Sequence, residues 1–218
     1  MPQTIYTEEE YNDLRKDSDI MYSLANKFAG LVKREAGVND QPYTEEQYGY
    51  IPTHPHNFAQ ALRVVKQDMR KNNPKNYSNY GGTFLECGCG IGTILMVASS
   101  AEFGFEAHGI ENNPKLVEVA KRLIGTDRIR EGDISIFPNY GKYDVIFYYC
   151  PYCTESKEKA FELFLEKNVK PGAYIIAHHK REREAYLKSG FREVAFLDIQ
   201  NGFRIIQKKV RVTPVNKR

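Results

Sequence analysis

The stretch TFLECGCGIGT, residues 83–93, decides how the rest of the chain is interpreted. A short strand-like run leads into glycines at alternate positions, Gly88, Gly90 and Gly92. Alternate glycines let the backbone turn tightly and approach a ligand with no Cβ in the way, and a following helix presents free N–H groups. The stretch therefore predicts a strand, a ligand-binding loop and a helix from Thr93 to about Ala101.

Beyond this stretch, strand-like and helix-like patterns alternate to the end of the chain. Amphipathic segments such as NPKLVEVAKRLIG separate short apolar runs that are typical of strands. The strand-like runs are TFLECG, EAHGIE, RIREGD, YDVIFYYC, AYIIAHH, FREVAFLDI and GFRIIQKKV. This alternation indicates an α/β fold, with a mostly parallel seven-stranded sheet and helices on both faces. An Asn201–Gly202 turn signal predicts that the last strand is antiparallel.

Residues 1–80 have a different character. Apolar residues recur at helical spacing in IMYSLANKFAGLVKREAG and in NFAQALRVVKQDM, with a loop rich in proline and glycine between them. The following segment, KNNPKNYSNYGG, has the composition of a linker. We therefore predict an N-terminal helical extension over residues 1–80 and an α/β domain over residues 81–218.

The bulk composition is that of an ordinary globular protein. Lys and Arg number 31 and Asp and Glu number 28, and the net charge of +3 is too slight to indicate a nucleic-acid partner. The N-terminus lacks the apolar core of a signal peptide, and no apolar run is long enough to span a bilayer. We expect a cytoplasmic protein with no membrane partner.

Three carboxylates stand at the ends of the first three predicted strands. Glu86 precedes the glycines, and Glu111 lies nineteen positions after Gly92, where an acid can bind both hydroxyls of a ribose. Asp133 follows the third strand, where it could accept a hydrogen bond from an adenine amino group. In an open α/β sheet, ligands bind outside the carboxyl ends of the strands. The three acids therefore indicate a nucleotide-like ligand at that edge.

These motifs together resemble the class I S-adenosylmethionine-dependent methyltransferases, over roughly residues 46–180. LECGCGIGT is similar to their first motif, GIENNP to the segment of their ribose-binding acid, EGDIS to that of their adenine-binding acid, and YDVIFYYCPY to their fourth-strand motif. The resemblance implies a Rossmann-like methyltransferase fold with S-adenosylmethionine as cofactor. Its amino-acid part would contact Glu86 and the backbone of residues 88–92. The full set of predicted cofactor-binding residues is Tyr50, Thr53, Glu86, Gly88, Gly90, Gly92, Glu111, Asn112, Asp133 and Ile134.

An NAD-binding loop is the closest structural alternative. Its fingerprint requires G-x-G-x-x-G, whereas the third glycine here follows after a single residue, in G-C-G-I-G. The spacing favours the methyl donor.

The resemblance extends to the small prokaryotic protein-lysine methyltransferases of class I. These carry a Tyr-x-Pro-Thr segment ahead of the glycine loop, as in Tyr50–Thr53 of this chain. They also have a tyrosine and a proline after the fourth strand and a histidine after the fifth, which here would be Tyr148 or Tyr149, Pro151 and His178. The predicted catalytic residues are Tyr149, Pro151 and Tyr152.

The acceptor that this resemblance implies is an amine, with a protein lysine favoured. Methyltransferases that act on amino groups of nucleic acids or of glutamine place Asn/Asp-Pro-Pro-Tyr at this strand end, whereas this chain has Tyr149-Cys150-Pro151-Tyr152 and lacks the amide. A small-molecule or nucleic-acid acceptor, or a binding module without catalysis, are the alternatives.

The cysteines offer two further interpretations. The CPYC stretch, Cys150–Cys153, between a strand and a helix is typical of a dithiol oxidoreductase. Cys87 and Cys89 are expected near the same sheet edge, and four thiolates can bind zinc, but C-x-C is a poor ligand spacing. Because the stretch falls in the fourth strand of a methyltransferase-like pattern, we predict buried reduced thiols and no metal site.

Overall fold

The computed structural model describes residues 51–72, 81–178, 183–199 and 202–209, and also residues 23, 27, 30–35, 37, 44–46 and 49. Residues 30–35 are helical, in agreement with the first predicted helical pattern. Tyr50 of the predicted cofactor site and Asn201 of the predicted turn lie outside the described residues.

The core of the molecule is one sheet of seven strands in the order β3-β2-β1-β4-β5-β7-β6. Six strands run parallel, and β7 is antiparallel to both of its neighbours, β5 and β6. The strands are β1 (Thr83–Cys87), β2 (Glu106–Glu111), β3 (Ile129–Glu131), β4 (Val145–Tyr149), β5 (Tyr174–His178), β6 (Phe191–Leu197) and β7 (Phe203–Lys208). The predicted fold class, with its antiparallel last strand, is confirmed.

Helices cover both faces of this sheet. Buried residues of α1, α2 and α3 share one apolar core with one face, and residues of α4 and α5 share another core with the opposite face. The helices are α1 (Pro55–Asn72), α2 (Thr93–Ala98), α3 (Pro114–Ile124), α4 (Glu155–Asn168) and α5 (Arg183–Lys188). Asn113 begins α3 by accepting a hydrogen bond from the backbone N–H of Lys115 at 3.1 Å, as an N-cap residue does.

Helix α2 ends earlier than the sequence predicts. The pattern indicated a helix to about Ala101, but the helix ends at Ala98. The carbonyl of Ala98 accepts a hydrogen bond from the N–H of Phe105 at 3.0 Å. This bond draws the chain toward β2, and residues 101–103 form a separate turn that does not continue the helix.

Helix α1 packs directly on the sheet, although the sequence assigned it to the N-terminal extension. The Phe58 ring lies 4.8 Å from that of Phe147 and 5.7 Å from that of Phe84. At the other end of α1, the Asp68 carboxylate accepts a hydrogen bond from the Tyr174 hydroxyl at 2.7 Å and pairs with Arg192. Most residues before 51 are outside the described part of the chain, so the division at residue 80 stays a prediction.

Among the described residues, none of the helices combines the length and the apolar content that crossing a membrane requires.

Candidate active site

The glycine loop is held at the carboxyl end of β1 by a backbone that only glycine adopts easily. Gly88, Gly90 and Gly92 have φ angles of +74°, +53° and +83°, which lie in the left-handed region. The N–H groups of Gly88 and Cys89 both donate to the carbonyl of Ile110 at 2.9 Å. The loop is therefore fixed against the end of the neighbouring strand β2.

The glycines at the two ends of this loop serve different purposes. A Cβ at Gly92 would lie 2.7 Å from Cγ1 of Ile124, so this glycine makes room for the packing of α3. A Cβ at Gly88 would meet no atom within 4 Å, and Gly88 is exposed. A ligand can thus approach the Gly88 backbone from outside the sheet edge.

Glu111 ends β2 and connects the glycine loop to the turn that follows β2. Its Oε2 atom accepts a hydrogen bond from Gly90 N at 2.9 Å, and its Oε1 atom accepts from Asn112 N at 3.0 Å and Asn113 N at 2.9 Å. Burial raises the pKa of this carboxyl, while the three backbone N–H groups act in the opposite direction. The acid predicted to bind the ribose is therefore held rigidly at the carboxyl edge.

Glu86, in β1, is a buried carboxyl group with an unsatisfied oxygen. The residue is 6% exposed, and its Oε2 atom has no hydrogen-bond partner among the described residues. Burial, and then the nearby charge of Glu111, raise the pKa of Glu86 well above its usual range. A buried acceptor without a donor is costly. A cationic ligand group at this oxygen would remove that cost, and the ammonium group of S-adenosylmethionine is such a group.

Asp133 completes the set of acids beyond β3. Its Oδ1 atom accepts a hydrogen bond from Ser135 N at 2.8 Å and caps the short 3-10 helix Ile134–Ile136. The N–H of Gly132 donates to the carbonyl of Glu111 at 3.0 Å, and Ile134 is buried. The structure thus brings the three predicted acids to the carboxyl ends of three adjacent strands.

A second group of residues lies at the carboxyl ends of β4 and β5. The Tyr149 ring stacks on the His178 ring with 3.9 Å between their centroids, and the other face of His178 stacks on Phe203 at 4.0 Å. His178 is fully buried, and its Nδ1 atom lies 3.4 Å from Oγ1 of Thr53. The segment ahead of α1 therefore contacts the wall that Tyr149 and His178 form.

The two tyrosines that end β4 face opposite sides of the sheet. Tyr148 donates a hydrogen bond from its hydroxyl to Glu162 of α4 at 2.5 Å, on the face away from Thr53. Of the two candidates that the sequence left open, Tyr149 is the one that packs against His178. Pro151 is half-buried in the connection after β4.

Tyr152, which the sequence places with the catalytic residues, contacts the predicted cofactor side. Its hydroxyl donates to Oδ1 of Asp133 at 3.2 Å, and its ring lies 6.0 Å from that of Phe161. Burial, and then the charge of Asp133, raise the pKa of Tyr152 to about 12. The hydroxyl is therefore a neutral donor over the physiological pH range.

Sequence reasoning missed two features of the connection after β4. Cys150 has a φ of +34°, a left-handed conformation that is strained for a residue with a side chain. Cys153 donates its N–H to the carbonyl of Glu46 at 3.0 Å, and the Glu46 side chain pairs with Lys157. No local sequence pattern indicates either feature, because the contact joins segments far apart in the chain and the strained residue is not a glycine.

The cysteines do not form a cluster with the geometry of a metal site. Cys87 packs in the core on the α4 face, and Cys89 packs in the core on the opposite face. In the part of the chain that the structure describes, no group of three or more His, Cys, Asp or Glu side chains is placed to hold a metal ion. Cys87 and Cys89 are buried as predicted, but Cys150 is half-buried and Cys153 is exposed, because both lie in the connection beyond the end of β4, so the prediction of buried thiols is wrong for these two cysteines.

Comparison with known proteins agrees with this architecture. Three similar solved structures are an RNA methyltransferase from Salinibacter ruber in complex with S-adenosylhomocysteine, a magnesium protoporphyrin IX methyltransferase from Synechocystis with bound S-adenosylmethionine, and an amino pentose methyltransferase from Micromonospora echinaspora with bound S-adenosylmethionine. Their identities to this chain are 17%, 15% and 13%, with TM-scores of 0.53, 0.50 and 0.52. The alignments cover 76%, 70% and 70% of this chain and 98%, 80% and 92% of those chains.

The sequence comparisons agree with the structural ones in part. No curated protein sequence matches this chain. Residues 78–213 match a protein family described as a methyltransferase domain, and this match covers more than half of the chain. The chain therefore belongs to the methyltransferase domain family, and it is an S-adenosylmethionine-dependent methyltransferase with a Rossmann-like fold.

Proposed function

We propose that this methyltransferase transfers the methyl group to an amine, and that a lysine side chain of a protein is its favoured acceptor. The observation that carries the proposal is the wall at the ends of β4 and β5, where the Tyr149 ring stacks on the buried His178. Thr53 joins this wall to the segment ahead of α1.

The cofactor side of the proposal assigns one role to each acid at the carboxyl edge. Glu86 would bind the ammonium group, because its Oε2 atom is buried and has no donor among the described residues. Glu111 would bind the ribose hydroxyls, and Asp133 would accept from the adenine amino group. The exposed backbone of Gly88 leaves room for the amino-acid part of the cofactor.

In this proposal the acceptor would lie beside the cofactor, at the same carboxyl edge of the sheet. When bound, S-adenosylmethionine supplies a methyl group on a positively charged sulfur, and the acceptor nitrogen forms its bond to carbon as the sulfur–carbon bond breaks. The protein contributes mostly position and exclusion of water in such an in-line displacement. Tyr149 ends β4, the strand beside β1, and would line the path of the acceptor.

An amine suits an aromatic wall for two reasons. A lysine must lose its proton before it can attack, and an apolar surrounding lowers its pKa by desolvation. The face of a tyrosine ring also attracts cations, which favours the methylated ammonium product. Tyr149, which is half-buried and stacks on the fully buried His178, would supply such an environment.

The similar structures do not choose the acceptor, because their names give RNA, magnesium protoporphyrin IX and an amino pentose. The test is transfer of labelled methyl from S-adenosylmethionine to a panel of lysine-bearing proteins, lysine peptides, amine-bearing sugars and RNA. We expect label on lysine nitrogen. Label on RNA or on an oxygen atom alone would contradict the proposal.

Substitution of Tyr149 tests the site itself. Tyr149→Ala should reduce transfer at least about 100-fold, because it removes the ring that positions the amine. The affinity for S-adenosylhomocysteine, measured by calorimetry, should change less than about threefold, since hydrogen bonds to the cofactor are retained. The matched control is Tyr143→Ala, which removes a half-buried ring ahead of β4, at the opposite end of the strand. Equal loss of transfer in both variants would contradict the assignment of Tyr149.

A further inference from the structure

The connection after β4 reaches across the sheet edge to the acid that is proposed to bind adenine. The Tyr152 hydroxyl donates to Oδ1 of Asp133 at 3.2 Å, and Ser135 N donates to the same oxygen at 2.8 Å. Among the described residues, the two groups that donate hydrogen bonds to this carboxylate both donate to Oδ1. The Oδ2 atom therefore keeps its lone pairs for a ligand.

Tyr152 itself is firmly held. It is 8% exposed, and its ring packs in the core on the α4 face, near Phe161. Asp133, by contrast, is exposed at the end of a short strand. Ser135 N and the Tyr152 hydroxyl both hold Oδ1, and the buried hydroxyl thus adds to the restriction on which of the two oxygens faces outward.

We propose that Tyr152 is a positioning residue for cofactor selection: it fixes the Asp133 carboxylate so that Oδ2 accepts a hydrogen bond from the amino group of adenine. The residue thus belongs to the recognition of the cofactor base and not to the attack on the methyl group. The inference rests on the proposed cofactor role of Asp133 and is independent of the proposed amine acceptor.

The difference between adenine and hypoxanthine at position 6 provides a measurable test of this role. Adenine presents an amino group at position 6, which donates to a carboxylate, whereas hypoxanthine presents a carbonyl oxygen, which repels it. A correctly oriented Asp133 should therefore prefer S-adenosylhomocysteine to S-inosylhomocysteine. A general loss of stability would weaken the binding of both ligands alike. The ratio of the two dissociation constants therefore reports the orientation of the Asp133 carboxylate.

The experiment is calorimetric titration of both ligands into the full chain and into Tyr152→Phe, which keeps the ring and removes only the hydroxyl. We expect the preference of the wild-type protein for adenine to be at least about tenfold, and to fall at least about threefold in the variant, consistent with loss of a hydrogen bond to a charged group. The matched control is Tyr174→Phe, which removes a buried hydroxyl that donates to a different aspartate, Asp68, at 2.7 Å. That variant should keep the wild-type preference.

Asp133→Asn provides the second measurement. If Tyr152 acts through Asp133, the two substitutions should not add, and Tyr152→Phe should change the preference less than about 1.5-fold in the Asp133→Asn background. An unchanged preference in Tyr152→Phe, or full additivity of the two substitutions, would overturn the inference. A wild-type protein that binds neither ligand would overturn the cofactor site as well. A protein that binds S-adenosylhomocysteine but methylates no amine would contradict only the acceptor proposal.

Discussion

The two ends of the same sheet edge are built in different ways. The cofactor half is the part that we propose binds the cofactor, at the ends of β1, β2 and β3. It draws its acids and glycines from residues 86–133, and the hydrogen bond from Gly90 to the Glu111 side chain spans 21 positions. The acceptor half is the part that we propose receives the methyl acceptor, at the ends of β4 and β5. It includes a contact between Thr53 and His178, which are 125 positions apart.

This difference predicts which substitutions disturb the cofactor half and which change activity alone. Left-handed glycines and buried acids in close sequence fix the cofactor half, since each residue constrains its neighbours. The acceptor half is joined by packing between distant segments, so substitutions there should change activity while the cofactor half stays intact. The four predictions below run from the largest expected effect to the smallest.

The largest effect is expected inside the cofactor half, at Gly92. Gly92→Ala combines a left-handed backbone with a Cβ that would lie 2.7 Å from Cγ1 of Ile124, and it should destabilise the fold by about 2–4 kcal/mol. Gly88→Ala has the backbone strain without the clash, so it should cost only about 1–2 kcal/mol of unfolding free energy. Its main effect should be weaker binding of S-adenosylhomocysteine. Denaturant unfolding and calorimetry measure the two effects. Equal destabilisation by both variants would show that the two glycines do not differ as described.

Removal of the central ring of the acceptor half should abolish methyl transfer and leave cofactor binding nearly unchanged. His178→Ala opens a cavity between Tyr149 and Phe203 and should cost about 2–3 kcal/mol of unfolding free energy, with loss of methyl transfer. The affinity for S-adenosylhomocysteine should change less than about threefold, because no cofactor contact is removed. His108→Ala, a half-buried histidine on β2, is the control for general loss of a ring. Cofactor affinity that falls as steeply as transfer would contradict the separation.

Glu86 should make the cofactor half sensitive to pH. The unfolded chain has an ordinary Glu pKa of about 4.3, whereas burial and the charge of Glu111 raise the pKa of Glu86 in the folded protein. The folded state therefore holds the proton more tightly, and the contribution of Glu86 to stability falls as pH rises from about 4.3 through the raised pKa.

Glu86→Gln removes this pH-dependent loss. The variant should be more stable than the wild-type protein at about pH 8, by on the order of 1–3 kcal/mol, and the difference should shrink toward pH 5. It should bind S-adenosylmethionine at least about tenfold more weakly, since the carboxylate that we propose pairs with the ammonium group is lost. Denaturant unfolding at both pH values measures the first effect, with Glu106→Gln, an exposed acid on β2, as control. A variant that is less stable at pH 8 would contradict the account.

The smallest effect is expected at Thr53, which sequence reasoning assigned to the cofactor and whose hydroxyl lies 3.4 Å from Nδ1 of His178. Thr53→Val keeps the shape and removes this contact, so it should cost about 0.5–1.5 kcal/mol of stability. If Thr53 serves the acceptor half, transfer should fall while the affinity for S-adenosylhomocysteine stays within about twofold. A larger loss of affinity would support the prediction from the sequence that Thr53 binds the cofactor.

The sequence was a good guide to the fold, and to the placement of three acids at one sheet edge, for a physical reason. All seven predicted strands form, because strand-like runs and amphipathic helices leave period-dependent patterns in neighbouring residues. The acids Glu86, Glu111 and Asp133 were predicted together because the carboxyl ends of adjacent parallel strands share one edge.

The acceptor half was less predictable because its geometry depends on long-range packing. The left-handed conformation of Cys150 interrupts the alternation of side chains after β4. No local sequence pattern predicts such a conformation at a residue other than glycine. The Tyr152 side chain lies beyond this residue and donates its hydrogen bond to Asp133. The stack of His178 between two rings needs the antiparallel pairing of β5 with β7, which brings Phe203 opposite His178.

The most direct test of the central claim is calorimetric titration of the purified, reduced protein with S-adenosylmethionine, for the wild-type chain and for Glu111→Ala. Glu111 is the acid that joins the glycine loop to the end of β2. The account predicts binding to the wild-type protein and a loss of at least about tenfold in affinity for the variant. Absence of binding to the wild-type protein, or equal affinity for the two proteins, would contradict the claim that the ends of β1, β2 and β3 form the cofactor site.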